Sequence, residues 1–157
     1  MNKLLLLLLF ITTLNAGNVE NDIKRDFIFP KWKEFYKLNK EILHSHGHNA
    51  FVDIYLNDIA KTPYINEHTN FPKNSIIIKP LYADEQRKYL ARIVVMIKMD
   101  KGYDTKHNNW WYGVYDKTGT KVAHEGKIQS CIKCHEMTKH TDYLFTTAVM
   151  EEVSFQD

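Results

Sequence analysis

Through the middle of the chain, apolar and polar positions follow the period of a strand. In AFVDIYLN (50–57), Val52, Ile54 and Leu56 alternate with Phe51, Asp53 and Tyr55, while SIIIKPLY (75–82) and RIVVMIKM (92–99) are short β-branched runs. Each predicts a strand. WWYGVYD, KTGT and KVAHEGK follow one another with the layout of a hairpin, with one glycine in the turn and Gly113 inside the first arm, where a bulge or a close approach is expected. Ahead of these strands, after Pro30, KWKEFYKLNKEIL (31–43) spaces Trp32, Phe35, Tyr36 and Leu38 in roughly helical steps and predicts a helix. A short helical end completes an α+β chain built on an antiparallel sheet.

The opening sixteen residues follow another pattern. MNKLLLLLLFITTLNA sets one lysine before an unbroken apolar run and ends on the small residue Ala16, the order of a secretory signal. The run is short for a membrane span. The expected product is a periplasmic protein of residues 17–157 that forms one domain, large enough to bury a core without disulfides, with no membrane insertion after signal cleavage. A signal retained as an anchor is the alternative. With 21 Lys and Arg against 19 Asp and Glu, the formal charge is +2, and it falls to +1 when Lys3 leaves with the signal. No run of like charges stands out, so nucleic acid is not an expected partner.

The two cysteines stand together in CIKCH (131–135). In a helix, positions i, i+3 and i+4 share a face, so Cys131, Cys134 and His135 point the same way. Two thiols so placed add to the two vinyl groups on one porphyrin edge, and the imidazole reaches the iron from that side. This spacing reads as covalent attachment of one haem c, with His135 as the metal ligand. A structural zinc site would need two further histidines to converge, a thioredoxin-like pair gives no reason for the histidine, and a plain disulfide is the simplest alternative in an exported protein.

A haem of this kind carries electrons when a methionine completes the iron's coordination. Met137 lies two residues from His135, a reach of roughly 7 Å at full extension, and does not pass to the other face of the ring. Met150 has the reach, and Met96 and Met99 sit on a predicted strand, where methionine commonly fills core. The iron is therefore expected to keep an open position.

FPKNSIIIKPLY, VVMIKMDKGYD, WWYGVYD and CIKCHEMTKHTDYLFT, taken in order, resemble successive segments of the cytochrome P-460 family, which includes the β-sheet cytochromes c′. The resemblance covers roughly residues 50–150. It implies a mostly antiparallel sheet with flanking helices, a haem-attachment helix near the C-terminus, a homodimer, and a five-coordinate haem whose open face lies against the sheet. It also implies one of two functions. One branch oxidises hydroxylamine, and sometimes nitric oxide, at a haem cross-linked to a lysine, which the match in SIIIKP assigns to Lys79. The other lacks the cross-link and binds nitric oxide or carbon monoxide. An arginine that the oxidising branch carries near Val52 is missing here.

Oxidation needs a group to take protons from the nitrogen substrate and a redox partner, such as another cytochrome, to take the electrons. Glu125 is the candidate base, with His124 beside it, both just ahead of the haem motif. Asp53 interrupts an apolar strand. HSHGH (44–48) offers His44, His46 and His48 as a divalent-metal site or as a solvated run. Lys79 shares a strand face with Ile77 and not with Ile76 or Ile78, and Pro80 behind it suggests an edge or a bulge.

Overall fold

The β-branched and aromatic runs form the strands expected of them. The computed structural model describes residues 29–156, so the expected export signal lies outside the described residues. Eight strands make one antiparallel sheet: β1 (Tyr36–Lys37), β2 (Leu43–Ser45), β3 (Ala50–Val52), β4 (Tyr55–Leu56), β5 (Ile76–Tyr82), β6 (Leu90–Lys98), β7 (Trp110–Tyr115) and β8 (Val122–Gly126). Three α-helices accompany it: α1 (Asp58–Ile65), α2 (Gln129–His135) and α3 (Thr146–Ser154). The class is α+β, as the sequence pattern indicates. None of the helices among the described residues is long and apolar enough to cross a membrane.

The spatial order is β1-β4-β5-β6-β7-β8, and the β2–β3 hairpin joins through the pairing of β3 with β5. Because side chains alternate across a strand, each strand supplies both faces of the sheet. One face carries Ile77, Leu81, Met96, Trp110 and Tyr112 and packs against residues of α1 and α2, among them Tyr64 and Ile132. The other carries Ile78, Ile93, Val95, Ile97 and Trp111 and is covered by Phe29 and Trp32, the latter edge-on to Tyr55 with ring centroids 4.9 Å apart.

The helix expected over 31–43 does not form. Its residues give a single 3-10 turn, Trp32–Glu34, followed by β1 and, after a loop, the start of β2. Pairing outweighs the helical spacing: Tyr36 and Lys37 align with Leu56 and Tyr55, and the Leu38 amide donates to the Ile54 carbonyl at 2.9 Å. The segment 50–57, expected as one strand, is interrupted at Asp53 and Ile54, where buried Asn39 takes over the bonding. The Asn39 side-chain amide donates to the Asp53 carboxylate at 3.0 Å, and its oxygen accepts from the Ile54 amide at 2.8 Å. Asp53, 2% exposed, is a structural ion-pair centre held by Arg87 at 2.9 Å and Lys37 at 3.2 Å.

Pro80 does not mark an edge. β5 lies inside the sheet, and its ladder with β3 and β4 breaks opposite Lys79 and Pro80, where a missing N–H costs no strand pairing on that side. The irregularity with β6 falls one residue further on, between Leu81 and Tyr82. Helix α1 escaped the sequence reading because Pro63 sits inside it. Its start is marked by the Asn57 side chain, which accepts from the Ala60 amide at 3.0 Å.

The close approach expected at Gly113 is present. A Cβ there would lie 2.5 Å from the Trp111 ring and 2.8 Å from the Tyr115 ring, inside a packed face. Gly113→Ala forces both rings aside and should lower unfolding stability by about 1–3 kcal/mol in urea titration. A midpoint equal to wild type would show that the rings yield freely.

Candidate functional site

Helix α2 sets Cys131, Cys134 and His135 on one face, and that face is the wall of a cavity of about 750 Å³. The opposite wall is the sheet, through Ile77, Lys79, Val94, Met96, Tyr112 and Val114. Val52 and Ile54 come from the interrupted strand, and Phe145 and Val149 from the start of α3. Most of this lining is apolar. Both cysteines are free thiols, and burial raises the Cys131 thiol above its ordinary pKa. Gly47 backs Cys134 closely, its would-be Cβ lying 3.7 Å from the Sγ.

His135 is fixed in one orientation. Its Nδ1 lies 2.6 Å from the Tyr143 carbonyl oxygen, an acceptor only, so Nδ1 carries the proton and Nε2 presents its lone pair. The ring sits between Tyr112 and Phe145, edge-on to each. Burial pulls its pKa down to about 4, so the imidazole is neutral and ready to ligate at any ordinary pH.

Lys79 reaches the same cavity, on the Ile77 face as strand alternation requires. The residue is half-buried, and desolvation lowers its pKa to about 8. The Cys134 sulfur, in the lining of the same cavity, acts in the opposite sense. Arg92 stands on the next strand, also in the lining.

The other candidates divide. Glu125 pairs with Gly113 across the β7–β8 ladder, and residues directly opposite share a face. That face is the one bearing Trp111 and Tyr115, so Glu125 lies outside the lining while His124, opposite Val114, lies within it. The run HSHGH borders the cavity rather than solvent alone, which its composition could not reveal. His48 accepts or donates through Nδ1 to the Ser45 hydroxyl at 2.9 Å, and burial, with Lys79 nearby, drives its pKa down to about 3. No group of three or more His, Cys, Asp or Glu among the described residues is arranged to hold a metal ion. Met96 and Met137 line the cavity, whereas Met99 packs on the far sheet face and Met150 beside Leu38, Ile65 and Val153.

A macrocycle with a polar rim suits this space. The volume falls in the range of cofactor pockets, two thiols and a directed imidazole stand on one wall, and the Tyr112 hydroxyl is buried on the sheet wall with no hydrogen-bond partner among the described residues. This combination defines a haem-protein site. A family model described as Cytochrome P460 matches residues 29–146, most of the chain. The chain belongs to that family and is a haem-binding cytochrome. A search of curated proteins gives no match.

A lysine whose pKa is lowered to about 8 is far more reactive just above that pH than an ordinary lysine. At pH 8 its neutral fraction exceeds that of an ordinary lysine by on the order of a hundred-fold. In haem-free protein, competitive acylation read by mass spectrometry should give Lys79 a reactivity that rises with pH and levels off just above 8. A midpoint near the ordinary lysine value would contradict the desolvated environment described for it.

Proposed function

We propose that the chain is an exported mono-haem c-type cytochrome, with haem joined to Cys131 and Cys134, ligated by His135 and cross-linked to Lys79, that oxidises hydroxylamine or a related small nitrogen compound. The observation that carries this reading is the placement of Lys79. A lysine poised to be neutral shares one cavity with the two thiols and the directed imidazole.

Only a neutral amine has the lone pair to attack a ring carbon, and the surroundings of Lys79 favour that form. Replacing a ring C–H with a C–N bond releases two protons and two electrons, so maturation calls for a two-electron oxidant of the peroxide class. The haem, when bound, supplies an iron that draws electrons from the nitrogen substrate and passes them on. The chain's own part is to hold that iron from one side through His135, to keep water scarce with Ile77, Val94 and Val114, and to accept protons.

Each two-electron oxidation of hydroxylamine also frees two protons. Glu125 faces the wrong side of the sheet for this task, and besides His135 the bases within the lining are His44, His46, His48, His124 and Glu152, of which His48, with its pKa lowered to about 3, is the poorest acceptor. The electrons leave one at a time to a redox partner such as another cytochrome. The periplasm, as the destination of the expected signal, and a homodimer, as the resemblance implies, complete the proposal.

Gas binding without turnover is the second reading. The apolar sheet wall favours it, as does the absence of an arginine at Val52.

Protein matured with haem should yield, after protease digestion, a haem joined both to the peptide containing Cys131 and Cys134 and to the one containing Lys79. Hydroxylamine should then reduce the ferric protein, and Lys79→Arg should abolish that reduction while nitric oxide binding persists. Lys79 recovered unmodified from haem-replete protein moves the function to gas binding. In a separate variant that also carries Lys79→Arg, Cys131→Ala with Cys134→Ala should lose all haem on denaturing extraction while Lys79→Arg alone keeps it, and haem retained in the triple variant would refute the thioether reading.

A further inference from the structure

The hydrogen bond that orients His135 depends on an unusual piece of backbone. Tyr143, whose carbonyl accepts from His135 Nδ1, has φ of 64°, and Asp142 before it has φ of 55°. Two consecutive non-glycine residues in the left-handed region, the second of them aromatic, are strained by about 1–2 kcal/mol each and persist only where the surroundings hold them.

What holds them is the Asp142 carboxylate. It is 1% exposed and takes donors from four residues on three separate segments. Lys98, at the end of β6, reaches both oxygens at 2.7 and 2.6 Å; the Phe71 amide donates at 2.6 Å, Asn108 at 2.5 Å and Trp110 Nε1 at 2.9 Å. Trp110 Nε1 also approaches the Asp142 carbonyl at 2.8 Å, so both the side chain and the backbone of this residue are pinned. On the far side of the turn, the Tyr143 amide donates to the Thr138 carbonyl at 2.9 Å and its hydroxyl to the Lys106 carbonyl at 3.1 Å. None of these groups enters the cavity, and Lys98 and Asp142 have no part in the chemistry proposed above.

We infer that Lys98 and Asp142 are positioning residues for the haem ligand: their buried ion pair holds Tyr143 in its left-handed conformation, aims its carbonyl at His135 Nδ1, and so sets how strongly the imidazole donates to iron. A histidine whose Nδ1–H is well hydrogen-bonded is a more basic ligand. Stronger donation stabilises ferric over ferrous iron and stiffens the iron–histidine bond. The sheet thus acts on the iron through the loop behind α2, from the side opposite Lys79's wall.

The inference rests on ligation by His135 but not on the choice between oxidation and gas binding. Its test uses haem-replete protein and two readings, the iron–histidine stretching frequency of the reduced form by resonance Raman and the ferric/ferrous midpoint potential. The double variant Lys98→Met with Asp142→Asn removes both charges together, and asparagine tolerates the left-handed region. It should keep covalent haem, with the stretch shifted to lower frequency and the potential shifted upward. Asn108→Ala, which removes one donor to the same carboxylate without stranding a charge, should shift both in the same senses by less. Frequency and potential unchanged in both variants would overturn the inference. Should the double variant fail to hold haem, Asn108→Ala decides alone by the same criterion. Wild-type protein whose reduced haem is five-coordinate yet gives no iron–histidine band would instead sink ligation by His135.

Discussion

A carboxylate sealed from water must be surrounded by donors, and Asp142 is where this chain meets that requirement. An isolated buried charge costs several kcal/mol or more, and breaking a buried pair by removing one partner typically costs about 3–5 kcal/mol. The four donors therefore cannot drift apart. Through them, the end of β6, the start of β7, the segment before β5 and the turn after α2 are fastened at one point. That point lies directly behind the loop whose next residue orients His135. The same buried anion thus anchors the turn whose carbonyl orients His135.

Lys98, buried, and Lys79, half-buried, show how differently one side chain behaves with and without a partner. Burial pulls the Lys98 amine below its ordinary pKa, and the Asp142 hydrogen bond and charge oppose that pull. Lys79 has no carboxylate acting on it, so desolvation wins and its pKa falls to about 8. Sheet alternation fixes this contrast. Lys79 must share the face of Ile77 and Leu81, which is the cavity wall, and the broken ladder opposite Pro80 gives it no polar neighbour strand to lean on.

Sequence patterns revealed these features unevenly, for physical reasons. The three-residue haem constellation was legible because its geometry is local: helical spacing alone puts Cys131, Cys134 and His135 on one face. The face of Lys79 was legible for the same reason, through strand alternation. The segment 31–43 was misread because pairing with Tyr55 and Leu56, a contact distant in sequence, outweighs its helical spacing. Glu125 was misplaced by proximity in sequence to the haem motif, when the ladder with Gly113 turns it to the other face. His48 and Asp142 both lay in segments the sequence singled out, HSHGH and CIKCHEMTKHTDYLFT, but their roles gave no distinguishable signal. The first looked like one of a solvated histidine run, and the second acquires its role only when four segments meet.

The claim at the centre of this account is that Lys79 is bonded to the haem of this cavity. Its most direct test is the absorption spectrum of the reduced protein, purified from a host that matures c-type haem. A porphyrin carrying a nitrogen substituent from Lys79 loses its symmetry, and the account predicts a broad Soret band shifted strongly to the red. A sharp Soret band at the position of ordinary haem c would contradict it.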